Sequence, residues 1–356
     1  MHAITGIVGL ALIVIAIADA FQTVVVARHA HKLPAITRIF YWVTWSLFAA
    51  SARFFRSERR RAKYLGIYGP LSLLLLLGFW AVSLIAAFAM LGWSLDLRRD
   101  GAPSDFADNV YFSAATFFTL GAGEPQSLAS KYLMVLEAGF GFSFLGLVVG
   151  YLPVLYQSFS SRELRILLLD ARAGSPPSAI QFVLRRGGDS AKLEQRLAEW
   201  EEWALDLLQN HLSYPMLAYY RSQHPNQSWL AALTSILDVS ALALLGADDE
   251  LKRQAQFTFA AGRHALVHSA SVFRIRPQHR SGDRLPTSDF AQLCRIIAAG
   301  SAPLRPERLV EAELAGLRTM YEPYAAALGT YFLMALPPWI APKGVSDNWE
   351  ISSWGL

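Results

Sequence analysis

The stretch Asp105–Glu124, DFADNVYFSAATFFTLGAGE, decides how the rest of the chain is interpreted. Residues 105–118 are mostly apolar and compatible with a helix, and Ser104 and Asp105 are good N-caps. A bilayer core needs about 20 helical residues, so this helix is too short to cross it. The run TLGAG at 119–123 follows at once. We therefore expect a short helix that enters the membrane and ends in a glycine-rich turn.

The glycine-rich turn has the composition of a cation-binding backbone. Irregular backbone is tolerated at membrane depth only where it is buried or lines a water-filled path. Glycines permit backbone angles that direct carbonyls inward, and such carbonyls replace the hydration shell of an ion. The predicted ligands are the carbonyl oxygens of Thr119, Leu120, Gly121, Ala122 and Gly123, with the hydroxyl of Thr119. Glu124 is predicted to concentrate cations at the outer mouth.

Long apolar segments flank this stretch on both sides. Residues 71–93 contain no charge and are long enough for a tilted span. Residues 132–159 form another span with a single acid, Glu137. Residues 4–27 form a third span, with Asp19 inside it and basic residues directly after it, so the positive-inside rule predicts an external N-terminus.

The intramembrane acid Asp19 is predicted to have a protein partner, because an ionised carboxylate that faces lipid is costly. Gln22 and Thr23 lie about one turn further along the helix and are the expected donors. The alternative is that Asp19 extends to the inner membrane interface.

Basic residues are concentrated between the first two predicted spans. Nine Lys and Arg residues lie from Arg28 to Lys63, against one acid, Glu58. The apolar and aromatic segment 40–55 lies among them and is short. We predict an amphipathic helix on the cytoplasmic face rather than a further span, because this keeps every basic residue inside.

The composition indicates a membrane protein with a water-soluble part. Of the 356 residues, 53% are hydrophobic and 17% are charged, against about 25% charged in soluble domains. The net charge of +4 reflects the one basic segment, which argues against a nucleic-acid-binding surface. With Cys294 as the one cysteine, an intramolecular disulfide framework and a multi-cysteine metal site are excluded.

The remaining residues, 160–356, show helical periodicity and predict an all-α cytosolic domain. Residues 191–211 have the pattern of an amphipathic helix. Residues 229–245 are apolar, but Asp238 lies within them and basic flanks are absent. We therefore predict that this segment is a buried helix and not a fourth span.

No enzyme motif occurs in the chain, which lacks G-x-S-x-G, H-E-x-x-H, Walker and Rossmann patterns. We predict no enzymatic activity, no catalytic residue and no cofactor. His264 and His268 have metal-ligand spacing without a third ligand, so the permeant cation is the one metal ion expected. The segment LPPWIAP at 336–342, with Trp349 and Trp354 beyond it, is predicted to pack as a strap on a neighbouring surface.

The order of these segments resembles the pore module of the tetrameric potassium channel family. The matching parts are the outer helix 68–93, the pore helix 105–118, the filter 119–123, the acid Glu124 and the glycine-rich inner helix 132–159. Further motifs resemble bacterial proteins classed as potassium channel family members: Asp19-Ala20-Phe21, Leu152–Tyr156, Ser213-Tyr214-Pro215, Arg221–His224 and Leu336–Ile340.

The resemblance implies an all-α membrane protein with a potassium-channel-like pore, an extra N-terminal span and an all-α cytosolic domain. The expected domains are an N-terminal span at 1–27, a basic cytoplasmic segment with an interfacial helix at 28–63, a pore domain at 64–159 and a helical cytosolic domain at 160–356. A homotetramer in the bacterial inner membrane is implied, because one filter strand cannot encircle an ion. The C-terminal domain is expected in the cytoplasm.

The inner helix carries the residues expected to move or narrow the pore. Its candidate hinge is formed by Gly139, Gly141, Gly146 and Gly150, and its candidate gate by Tyr151, Tyr156 and Phe159. No span with regularly spaced arginines precedes the pore, so voltage gating of that type is not expected.

The filter departs from the family pattern T-V-G-Y-G-D at Leu120, Ala122 and Glu124. Ala122 lacks the ring and hydroxyl that would brace the filter, and Phe117 and Phe118 are the residues expected to refill that space. The expected function is passive conduction of potassium, gated by an undetermined stimulus through the cytosolic domain. The alternatives are a non-selective channel that also passes sodium and a non-conducting membrane sensor.

Overall fold

The computed structural model describes residues 2–24, 35–95, 105–121, 123, 127–185, 188–224, 226–278, 282–342, 344 and 347–348. Throughout these ranges the regular structure is helical, without a strand. The predictions made for Ala122, Glu124, Trp349 and Trp354 lie outside the described residues.

In the described part of the first half of the chain there are five α-helices. They are α1 His2–Val24, α2 Ala35–Ala52, α3 Glu58–Ser94, α4 Phe106–Phe117 and α5 Leu128–Ala173. The second half forms α6 Ala179–Leu184, α7 Ser190–Ser213, α8 Trp229–Gly246, α9 Asp249–Val272, α10 Thr287–Ala299, α11 Glu311–Thr319 and α12 Glu322–Phe332. Short 3₁₀-helices occupy Pro215–Tyr219 and Pro306–Arg308.

Two helices are longer than the apolar patterns predicted. The helix α3 begins at Glu58, within the basic segment, and not near residue 68. The helix α5 continues past residue 159 to Ala173 and is 46 residues long. The hydropathy pattern ends where the side chains become polar, but Arg, Lys, Glu and Leu are good helix formers, so the helices continue.

The chain divides into two compact units, and the long helices contribute to both. The first unit contains α1, α2 as far as Ser46, α4, and the parts of α3 and α5 between Pro70 and Gln157. Its core joins residues of α1, α3 and α4: Ile13, Ala16, Ala81, Leu84, Ile85, Ala87, Phe88 and Phe117. At Gly9 a side-chain carbon would lie 2.7 Å from the carbonyl oxygen of Ala87, so a glycine is required for this approach of α1 to α3.

The predicted protein partner of Asp19 is confirmed within the first unit. Asp19 is 5% exposed and accepts hydrogen bonds from Thr37 Oγ1 at 2.7 Å and from Trp80 Nε1 at 3.0 Å. The expected donors were wrong: Gln22 is exposed, and Thr23 Oγ1 lies 3.0 Å from Thr37 Oγ1 instead. Asp19 therefore joins α1 to both α2 and α3.

The second unit is built around α8. Within the described residues, four helices are long and apolar enough to cross a membrane by length and composition, and α8 is one of them. Its most apolar window is 89% buried inside the protein, whereas the corresponding window of α5 is 11% buried. The surrounding helices of its own unit thus enclose α8, which agrees with the prediction of a buried helix.

The start of the second unit is fixed by a buried arginine on α5. Arg162 is 4% exposed and donates from Nη1 to the carbonyl of Leu217 at 2.7 Å and from Nη2 to that of Tyr220 at 2.8 Å. Its Nε and Nη2 groups also donate to Glu163 Oε1. The segment after α7 is thereby attached to the extension of α5.

The segment 336–342 packs as the predicted strap. Trp339 is 1% exposed, and its carbonyl accepts from the backbone N–H of Ile180 at 3.3 Å. Arg284 donates from Nη2 to the carbonyl of Pro337 at 2.8 Å, and its guanidinium lies 5.7 Å from the centre of the Trp339 ring system.

No group of three or more His, Cys, Asp and Glu side chains arranged for a metal ion occurs among the described residues.

Candidate ion-conduction site

The helix α4 has the start that its sequence predicts. Asp105 is the N-cap and forms a capping box with Asp108, and Asn109 Nδ2 donates to the Asp105 carbonyl at 3.0 Å. Its 12 residues give a length of about 18 Å, which is less than a bilayer core of about 30 Å. The predicted short pore helix at 105–118 is therefore present, with the same ends to within one residue.

The C-terminal end of α4 leads directly into the predicted filter. The N–H of Thr119 donates to the carbonyl of Thr116 at 3.0 Å, and the N–H of Leu120 donates to that of Ala115 at 2.7 Å. This pair of bonds is a Schellman motif, in which the left-handed position is usually a glycine. Here it is Thr119, with φ 56°. A β-branched residue with positive φ is strained, and such strain is concentrated at functional sites.

Left-handed residues recur along the filter. Thr119, Gly121 and Gly123 have φ values of 56°, 77° and 80°, whereas Leu120 has a negative φ. Glycine adopts such angles without strain. The structure thus gives Gly121 and Gly123 the backbone angles that the glycine pattern predicts.

Within a single chain the filter is open to its surroundings. Leu120 is 76% exposed. A side-chain carbon added at Gly121 or at Gly123 would meet no atom of the described residues within 4 Å. The two phenylalanines expected to refill the space at Ala122 differ, because Phe117 is buried whereas Phe118 is 57% exposed.

One face of α5 holds the end of α4. A side-chain carbon at Gly141 would lie 1.9 Å from the carbonyl oxygen of Phe117, so the two backbones approach as closely as a glycine allows. The ring of Phe117 packs against Phe144, with centroids 5.8 Å apart. One helical turn earlier, the Ser113 hydroxyl of α4 contacts the Glu137 carboxyl. Glu137, Gly141 and Phe144 are four and three residues apart and share a helix face.

The contact at Gly141 gives this residue a role that sequence reasoning missed. The four glycines predicted as a hinge all lie within the unbroken helix α5. Among the residues that the structure describes, a side-chain carbon at Gly139, Gly146 or Gly150 would meet no atom within 4 Å, so Gly141 alone of the four is required for packing there. Glu137 was noted as an acid inside a span, which was a signal for a polar contact, but its partner was not predicted.

The predicted gate residues do not share a surface. Tyr156 is 66% exposed, whereas Tyr151 and Phe159 are buried. Phe159 packs within the second unit against Tyr220, with ring centroids 5.4 Å apart, and beneath the guanidinium of Arg162. Tyr156 is therefore the one of these three rings that is largely open.

The comparison with known protein families agrees with this geometry. Residues 74–157 match the family model described as "Ion channel". The matched segment runs from within α3 through α4 and the filter into α5. No curated protein and no solved structure matches the chain at a significant level. Residues 74–157 are thus similar to the domain that this family model describes as an ion channel.

Proposed function

We propose that the protein is a homotetrameric channel that conducts potassium passively through the filter Thr119–Gly123. The observation that carries the proposal is the positive φ of Thr119, Gly121 and Gly123, directly after a helix too short to span. Backbone carbonyls directed to one side, with the Thr119 hydroxyl, would replace the water around a dehydrated cation.

The electrostatics of α4 favour a cation at this position. A helix carries a partial negative charge of about half an elementary charge at its C-terminal end. A single residue, Phe118, lies between this end of α4 and the filter. In the sequence, the acidic residue Glu124 follows the filter directly.

The tetramer is supported by surfaces that a single chain leaves open. The most apolar window of α5 has a mean hydropathy of 1.9, yet only 11% of it is buried. Its exposed side chains include Val135, Phe142, Leu145 and Val149. Some of these residues face lipid, and others pack between four copies arranged around the ion pathway, because one filter cannot surround an ion.

The orientation that we propose has the N-terminus outside and residues 160–356 in the cytoplasm of a bacterium, with the pore in the inner membrane. It rests on the basic residues between α1 and α3 and on the positive-inside rule. A signal received by the C-terminal helices would reach the pore through α5, with bending near Gly139–Gly150 and narrowing near Tyr151, Tyr156 and Phe159.

A non-selective cation channel is the second candidate, and the filter composition favours it. Ala122 stands where the family pattern has a tyrosine. Phe118 does not replace that ring within the chain, because it is 57% exposed. A filter with less bracing can adapt to sodium as well as potassium.

Ion flux into liposomes tests these proposals. The purified full-length protein is reconstituted with a potassium gradient, a sodium gradient or neither, and flux is measured against empty liposomes. Potassium flux well above sodium flux supports the first proposal, and equal fluxes support the second. Absence of flux for both cations in assembled protein overturns both and favours the non-conducting sensor.

A further inference from the structure

The last turns of α5, which belong to the second compact unit, have an unusual distribution of polar and apolar side chains. Two charged residues, Arg162 and Asp170, are buried there. Three leucines on another face are open in the single chain: Leu164 is 60% exposed, Leu167 40% and Leu168 39%. Buried charges with exposed leucines reverse the usual pattern of a helix in water, which indicates that another surface covers the leucines.

The exposed residues have the spacing of a seam between packed helices. Ser160, Leu164, Leu167 and Ala171 are four, three and four residues apart, as the d and a positions of a heptad repeat are, and all four are exposed. Leu168 lies at the adjacent e position, and an apolar face of three positions per heptad is typical of helices in a bundle. We call these five residues the leucine face, and its pattern fits packing against other helices.

The identity of the covering surface follows from the continuity of α5. This helix is unbroken from Leu128 to Ala173, so the leucine face continues the helix that spans the membrane. In the proposed function, four copies of that helix surround the ion pathway, which brings four leucine faces near one axis. Linked segments meet at a high effective concentration, so a seam of fewer than two heptads is sufficient. The leucine face contains no charged residue, so identical copies meet without like-charge repulsion.

We propose that the leucine face is an assembly seam, at which the last turns of α5 from neighbouring copies pack into a helical bundle outside the bilayer. This inference rests on the proposed function. Arg162 attaches the same turns of α5 to the segment after α7 in its own chain. The bundle therefore joins the C-terminal helices of every copy to the helix that lines the pore. Lipid is the competing occupant of the leucine face, and the test distinguishes it from a second copy.

Cysteine cross-linking tests the seam in full-length protein reconstituted into liposomes. The native cysteine is first removed by Cys294→Ser, and Leu164→Cys or Leu167→Cys is then introduced. The matched control is Leu205→Cys in α7, because Leu205 is also an exposed leucine of the second unit. On oxidation we expect at least about fivefold more disulfide-linked dimer at either seam position than at the control, because a and d residues of neighbouring helices adjoin.

The strength of assembly tests the same seam without a cross-link. The double variant Leu164→Gln with Leu167→Gln changes side chains that are open in the single chain, so each chain should still fold. We expect this variant to raise the apparent dissociation constant of the assembly in detergent at least about tenfold, because two leucines per chain lose their burial. Leu205→Gln should leave the constant within about twofold of wild type. Light scattering over a dilution series measures both.

The outcomes separate the seam from the proposed conduction. Ion flux in the wild type, with no cross-linking above the control or an unchanged dissociation constant in the double variant, refutes the seam and leaves the conduction. If uncross-linked seam cysteines are also shielded from a water-soluble maleimide in liposomes, lipid is the occupant. Cross-linking at the seam without ion flux in assembled wild type refutes the conduction and leaves the seam. A wild-type protein that is monomeric refutes both.

Discussion

At the scale of single residues, Gly141 and Gly78 show how the same residue type serves different purposes on neighbouring helices. A methyl group at Gly141 would collide with the backbone of Phe117, which can yield only if α4 moves. A methyl group at Gly78 in α3 would meet no atom within 4 Å. Overpacking of a well-packed contact costs about 1–3 kcal/mol, and it does so here beside the filter.

We therefore expect Gly141→Ala to reduce potassium flux at least about tenfold per assembled channel, whereas Gly78→Ala conducts like wild type and is as stable or slightly more so. Liposome flux normalised to the amount of assembled protein measures this. Wild-type flux in Gly141→Ala would show that the close contact between α4 and α5 is not needed for conduction.

The filter glycines are constrained by their backbone and not by packing. Gly121 and Gly123 have positive φ, and open space surrounds both. An alanine in this conformation costs about 1–2 kcal/mol, and this cost arises entirely from strain in the local backbone. We expect Gly121→Ala and Gly123→Ala to abolish ion flux while the melting temperature of the detergent-solubilised protein stays within about 3 °C. Normal flux through an assembled Gly123→Ala channel would remove the filter assignment.

At the scale of the helix, the joint at Asp19 determines how α1 and α2 are attached to α3. Replacing the carboxylate with leucine leaves the Trp80 N–H without its acceptor, at a cost of about 1–3 kcal/mol, and leaves the Thr37 hydroxyl with Thr23 Oγ1 as its remaining partner. Asparagine keeps one acceptor oxygen in the same place.

We expect Asp19→Leu to lower the melting temperature of the full-length protein in detergent, and Asp19→Asn to lower it by less than half as much. Equal melting temperatures for wild type and Asp19→Leu would contradict the joint and favour a carboxylate that reaches the membrane interface.

Local signals made α4 the most predictable element of the chain. Its N-cap, its acidic first turn and the glycines after it lie within a single stretch, and its ends were predicted to within one residue. The partner of Asp19 was not predictable in this way. Gln22 and Thr23 are neighbours in sequence, whereas Thr37 and Trp80 come close only once three helices pack. Sequence periodicity shows which face of a helix is buried but not what covers it.

The filter and the contacts of α4 with α5 were predictable only in part, because sequence patterns are local. The TLGAG run predicted where the left-handed glycines lie, because glycine is the residue that adopts such angles without strain. It did not predict Thr119 in that conformation, since a β-branched residue is disfavoured there. The roles of Gly141 and Glu137 depend on the depth at which α4 meets α5, and no local pattern records that depth.

At the scale of the whole molecule, two helices of nearly equal hydropathy have opposite surroundings. The windows of α5 and α8 have mean hydropathies of 1.9 and 1.8, yet 11% of one and 89% of the other are buried inside the chain. The acid inside α8 has an oppositely charged partner in its own unit. Asp238 is fully buried and receives two hydrogen bonds from Arg284, at 3.2 and 2.5 Å, and one from Tyr321 at 2.5 Å. A partner arginine from the same unit marks α8 as the core of a folded domain.

The folded domain that contains α8 is also expected to lose stability in acid. His211 is buried beside Ser269, with its ring edge-on to Trp229 at 4.6 Å, and burial together with the nearby charge of Arg162 lowers its pKa from 6.5 to about 3. Between pH 3 and pH 6.5 the unfolded chain therefore binds up to one more proton than the native chain. The stabilisation from the neutral, buried His211 is complete above pH 6.5. It is lost as the pH falls towards 3, at up to about 1.4 kcal/mol per pH unit. In His211→Gln the side chain can still bond to Ser269 but cannot be protonated. We expect the free energy of unfolding, measured with urea for the full-length protein in detergent, to fall less from pH 7 to pH 5 in His211→Gln than in wild type. Equal falls in the two proteins would contradict the proposed role of His211 in acid sensitivity.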